Sequence, residues 1–328
     1  MKRALALCLC LATPLHAGVP EVVNDHVLPG TAAFADATRA LADTARQDCT
    51  TTAVQPAFHD AFDAWLGISH LAFGPVEDDG RGLAIAFWPD TRGLGNAAVA
   101  QLVANEDAAV DDPAEFAEVS VAARGFFALE QLLYDEKYAG YAADSYTCRL
   151  VAATAADLSR MADEIDAAWR GTQAPLMLSA GEAGNPRYFS EQEAQQQLYT
   201  ALQAALEFDA DARLKRPLGS FDRPRPLRAE ARRSGRSLRN VTLSLQALED
   251  LSEALADAPI PQTHAAFATA LEVAADLDDP VFAGVAEPGS RLKVEILQQR
   301  IDAIAATVAG EIGAQLGVTE GFNSADGD

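Results

Sequence analysis

Residues 32–47 read AAFADATRALADTARQ, and apolar Phe34, Ala37, Leu41 and Ala45 recur in them every three or four positions. That spacing lays an apolar stripe along one face of a helix. Phe58, Phe62, Trp65 and the region from Ser69 to Phe73 keep the same period until Gly74-Pro75 stops it, so two antiparallel helices follow. A loop rich in Gly, Asp and Pro, residues 74–95, contains Phe87-Trp88-Pro89-Asp90. Helical spacing then returns over 97–105, 113–134 and 146–169. Residues 171–186 mix Gly, Pro, Ser and Asn and read as a connector or a boundary. Beyond it, helices are predicted over 190–214, 228–256, 263–277 and 291–316, the first opened by a capping box of Ser190 and Glu193. No stretch alternates Val, Ile, Thr or Tyr with polar residues over a strand length. The expected fold is all-α: two tandem antiparallel helical bundles, residues 18–172 and 186–328, with a single larger helical array as the alternative.

The chain has 328 residues with 48 acidic against 25 basic side chains, a net charge of −23, and 49% hydrophobic residues. It can bury a sizeable core, and its acidic surface would repel phosphate, so nucleic acid is not expected as a partner. Met1-Lys2-Arg3 precedes an uncharged run from Ala4 to Leu15, with small Ala17 just ahead of Gly18. This is the pattern of a signal peptide over residues 1–17, which places the mature chain in the periplasm or cell envelope. No later apolar run is long enough to cross a membrane. Export leaves Cys49 and Cys148, which in an oxidising compartment most simply form a disulfide; two buried thiols are the alternative.

The chemistry centres on Gly125-Phe126-Phe127-Ala128-Leu129-Glu130, followed by Leu132, Leu133 and Tyr134. Glu130 either faces solvent on an amphipathic helix or sits buried between helices, where it needs a metal, an arginine or a proton. Together with Ala64-Trp65, the run from His70 to Pro75, and the closing run from Gly321 to Asp328, this stretch resembles the imelysin-like family. The resemblance implies an exported helical protein of two similar bundles, linked to iron acquisition and to envelope iron-uptake components as partners. A metallopeptidase activity has also been claimed for some members. The family signature is Gly-x-His-x-x-Glu, whose His and Glu could share iron or zinc. Here Gly125 and Glu130 match, while Phe127 stands at the histidine position and cannot ligate.

Other candidates surround this motif. His70 ends the helix that carries Trp65 and reads equally as a capping histidine or, with Glu130, as a metal ligand. His59 and Asp63, four apart, read as a solvated pair, whereas His26 and His264 have no acid at helical spacing. Residues 213–239 hold ten of the 25 basic residues against only Asp222 and Glu230. Arg228, Arg232, Arg236 and Arg239 follow helical spacing, a ridge that either docks on acids of the first bundle or binds an anionic ligand. Arg233 and Ser234 also match a family segment, and an arginine of this ridge is the expected partner of Glu130. The tail acids Asp326 and Asp328, with Glu320, read as solvated. The functional expectation is a non-catalytic ligand- or partner-binding protein of iron acquisition, with Trp65, His70, Glu130, Arg233 and Ser234 at its site. The alternative is a metal-dependent peptidase using Glu130.

Overall fold

The computed structural model describes residues 18–138 and 140–317; the expected signal peptide and the acidic tail lie outside the described residues. After a helical turn at Val19–Glu21 and a π-helical stretch at Val22–Val27, helix α1 runs over Leu28–Gln47 and buries Phe34, Ala35, Leu41 and Ala45. Helix α2, Thr51–Leu66, buries Phe58, Phe62 and Trp65. Helices α3, Leu94–Asn105, and α4, Gly125–Tyr134, flank a loop of short turns. Helix α5, Tyr146–Ala168, opens on Ser145, whose Oγ accepts the Cys148 N–H at 3.2 Å. The second half holds α6 (Glu191–Glu207), α7 (Ser237–Leu255), α8 (Pro261–Ala275) and α9 (Pro288–Val308). Among the described residues the fold is all-α, with one isolated bridge between Ser220 and Arg223.

Helix α1 packs on α2 and α5, and α4 wedges between α2 and α5; α9 packs on α6 and α8, with α7 against both of those. Stacked rings centre the first group: Phe62 and Phe126 lie 4.3 Å apart and nearly parallel, with Phe58 edge-on to both. Apolar burial continues from one group into the other where α7 meets α2 and the Val22–Val27 stretch. The expected disulfide is present: Cys49 and Cys148 are bonded with Cα atoms 5.3 Å apart, tying the turn before α2 to the start of α5.

Three boundaries differ from the sequence reading. The periodic stretch over 113–134 is broken into Pro113–Ala117, a turn, and α4, because Gly125 adopts a left-handed φ of 65°. A Cβ there would stand 2.2 Å from the carbonyl oxygens of both Ala84 and Ile85, so only glycine lets that segment lie against α4. The connector expected from residue 171 begins later, since helical backbone runs on through Trp169–Gln173 and Ala174–Leu178. The arginine ridge is not one helix: Pro226–Arg228 is a 3-10 turn, Ala231 and Gly235 are left-handed, and α7 starts only at Ser237. Backbone reversals of this kind cancel a periodicity that the side chains still display.

Candidate functional site

Helix α4 is anchored before it begins. The Arg124 guanidinium grips Asp157 of α5 with Nε and Nη2 at 2.8 and 3.1 Å, both groups buried, and Nη1 donates to the Ala117 carbonyl at 2.7 Å. From that anchor α4 turns Phe126 and Leu129 into the core and Phe127 and Glu130, three apart, toward a cavity of about 290 Å³. Phe127 is half-buried, lies parallel to Trp88 at 6.4 Å and meets Phe62 edge-on. Trp88 also forms part of a second cavity of about 380 Å³, largely apolar, which includes Trp65, His70 and Phe208. Trp88, in a stretch visible in the sequence only as loop, therefore supplies a wall common to both cavities.

Glu130 is 2% exposed. Its Oε1 accepts the backbone N–H of Ser234 at 2.9 Å and the Ser234 hydroxyl at 2.8 Å. The expected arginine partner is thus replaced by a turn: Arg233 instead pairs with Asp135 at 3.0 Å. The reason is the left-handed backbone at Ala231 and Gly235, which aims the Ser234 amide at the carboxyl. Burial pushes the Glu130 carboxyl above its ordinary range, against the two Ser234 bonds that lower it.

Much of the arginine segment docks across the two groups. Asp63 of α2 receives Nε of Arg239 at 2.9 Å and Nη2 of Arg236 at 2.5 Å. Arg236, 1% exposed, also meets His59 Nδ1 at 3.0 Å, and His59 Nε2 is 2.7 Å from the Tyr134 hydroxyl. His59 and Asp63 are therefore a partly buried clasp rather than a solvated pair, and burial, followed by the Arg236 charge, holds the His59 ring below its usual pKa. Arg213, Asp209 and Glu230 form a buried cluster beside the second cavity; burial raises Asp209 to about 6.

His70 and Trp65 are placed apart from Glu130, at the second cavity. His70 is 4% exposed and its Nε2 lies 2.9 Å from Nε2 of His26, a partnership across 44 residues that sequence reasoning missed. Burial pushes His26 down to about 4 and His70 well below its ordinary value. Among the described residues no group of three or more His, Cys, Asp or Glu side chains is placed to hold a metal ion. The donors do not fit iron or zinc at Glu130: Phe127 offers no lone pair, and Oε1 is committed to Ser234.

The protein-family model described as imelysin, peptidase M75, matches residues 25–308. The chain belongs to the imelysin family. Its fold is similar to that of an imelysin-like protein from Psychrobacter arcticum 273-4, with a TM-score of 0.77 and 21% identity, covering 93% of this chain and 96% of that one. It is also similar to a chain from Parabacteroides distasonis ATCC 8503 named as an iron-regulated protein A precursor, with a TM-score of 0.73 and 13% identity, covering 91% and 94%. At these identities the likeness establishes the imelysin fold. No curated protein sequence matches the chain. Within this imelysin-family fold, Glu130 and Ser234 meet, Arg233 lies beside them on Asp135, and His70 belongs to a different cavity.

Proposed function

We propose that this imelysin-family protein is exported to the periplasm and serves iron acquisition there as a non-catalytic binding component, with the cavity beside Phe127 and Glu130 as its ligand site. The observation that carries the reading is the bonding of Glu130. An acid whose Oε1 accepts two hydrogen bonds from Ser234, beside a phenylalanine at the signature histidine, is a poor ligand set and a poor base. The neighbour named as an iron-regulated precursor supports the link to iron and to export. Residues 18–172 and 186–328 are taken as its two bundles, with the site at their meeting. Envelope iron-uptake components are the expected partners.

The test uses protein purified from the periplasm. Intact mass should show a chain beginning at Gly18 with Cys49 and Cys148 oxidised, elemental analysis should show no stoichiometric iron or zinc, and peptide hydrolysis should be absent. A deletion strain should grow poorly under iron chelation. Stoichiometric metal with a peptidase activity that Glu130→Ala abolishes would replace this reading with the metallopeptidase one, and unchanged growth under chelation would remove the role in iron acquisition.

A further inference from the structure

The basic residues of 213–239 divide into two sets. Arg213, Lys215, Arg233, Arg236 and Arg239 each meet a carboxylate. Arg216, Arg228 and Arg232 meet none among the described residues, yet all three line the cavity beside Glu130. Arg223 and Arg225 also lack a carboxylate partner, but they lie off that cavity. Three guanidinium groups that line one cavity and form no ion pair of their own make a local surplus of positive charge in a chain of net charge −23, and an anion stabilises such a surplus.

Two further features point the same way. The Nε of Arg216 is buried with no hydrogen-bond partner, and its guanidinium lies over the Trp88 ring at 5.8 Å. Burial and the nearby Arg228 charge both hold the Arg216 pKa down. Gln131, which lines the same cavity, is 5% exposed; its Nε2 donates to Asn96 Oδ1, while its buried Oε1 has no donor. The acids of the cavity hydrogen-bond elsewhere and form no ion pair with these three arginines, although Glu130 attracts Arg232 through space. Asp90 accepts backbone N–H groups of Arg92, Leu94 and Gly95, and Glu130 accepts from Ser234.

The cavity thus lacks acceptors for its arginines and one donor for its glutamine, and the stacked Trp88 and Phe127 rings add apolar lining. A volume of about 290 Å³ suits a small ligand. We propose that the cavity binds a small hydroxycarboxylate, its carboxylates forked by Arg216, Arg228 and Arg232 and its hydroxyl donated to Gln131 Oε1. Planar guanidinium forks match carboxylates, and a hydroxyl satisfies an acceptor that a bare inorganic anion leaves unmet. The inference rests on the ligand-binding reading above and gives its site a chemical class.

Calorimetric titration of the mature protein with citrate, tricarballylate (the same skeleton without the hydroxyl) and inorganic phosphate tests it. Citrate should bind, and bind more tightly than either of the others. Arg216→Gln, Arg228→Gln and Arg232→Gln should each weaken citrate by about tenfold or more, the loss expected for a charged hydrogen bond. Gln131→Met should weaken citrate severalfold and leave tricarballylate unchanged. Arg228 is exposed, so its variant reports on binding even where Arg216→Gln fails to fold. No heat with citrate at millimolar concentration, equal affinity in the arginine variants, or tighter binding of phosphate would overturn the proposal. Citrate and tricarballylate binding alike would overturn the role of Gln131. Metal content and peptide hydrolysis measured on the same preparation separate the two readings: protein free of metal and activity that ignores all three anions sinks only the hydroxycarboxylate.

Discussion

Acid should destabilise this protein through one pair of rings. His26 and His70 face each other Nε2 to Nε2 at 2.9 Å, so one ring must donate and the other, neutral, must accept, and burial keeps the donor neutral as well. His26 is held near 4 in the folded chain against about 6.5 when unfolded. Its folded pKa is depressed, so the unfolded chain binds the proton first, and stability present at neutral pH is lost as pH falls below about 6.5. Linkage over that interval gives a loss of about 2 kcal/mol between pH 7 and 5 from His26 alone. His70, shifted in the same direction, adds to it. Asp209, raised to about 6, acts in the opposite sense and does so equally in any variant that leaves it in place. Urea unfolding followed by circular dichroism at pH 7, 6 and 5 should therefore show wild type losing stability more steeply than His26→Gln, by about 2 kcal/mol over the range. Identical slopes in the two proteins would refute the assignment of a buried neutral pair.

Gly125→Ala should cost about 2 to 4 kcal/mol in thermal or chemical unfolding, combining a left-handed backbone with a Cβ driven into the Ala84 and Ile85 carbonyls; a variant as stable as wild type would show that this approach is not needed. Asp63→Ala strands Arg236, 1% exposed, and should lower stability by about 2 to 4 kcal/mol, since Asp63 itself is partly open to water. Pairing the substitution with Arg236→Met should recover part of that loss in the same unfolding assay. Replacing Cys49 and Cys148 with serine opens a loop of 99 residues and should cost about 4 kcal/mol, read as a lower urea midpoint than that of the oxidised protein.

The helices were legible because apolar stripes such as Phe34, Leu41 and Ala45 bury one face each, and a period of 3.6 survives in the letters whatever the helix packs against. The capping box was legible too, though Glu193 accepts the N–H of Phe189, the residue before the cap, at 2.6 Å. Glu130 stood out as an acid among apolar neighbours and Ser234 was among the expected site residues, yet one of the two bonds that join them comes from a backbone amide, which carries no side-chain signature. The arginines illustrate the limit most plainly. Their spacing suits a helix, and only the left-handed residues Ala231 and Gly235 decide that Arg232 and Arg233 lie on a turn ahead of α7 rather than on the helix that carries Arg239. Gly235 offered a hint of this, whereas an alanine at φ 44° offers none. His26 and His70 could not be joined from sequence, because the contact spans 44 residues and depends on how the Val22–Val27 stretch leans on the helix-end turn carrying His70.

The bond between Cys49 and Cys148 encloses α2, α3 and α4, and with them the whole loop that carries Trp88. A protease that cuts once anywhere between those two cysteines opens the chain without dividing the molecule. Both pieces stay joined at sulfur, migrate as one species on a non-reducing gel, and separate only when reductant is added. A nick in the Gly- and Asp-rich loop thus becomes survivable damage, with the severed ends kept within reach of their original places.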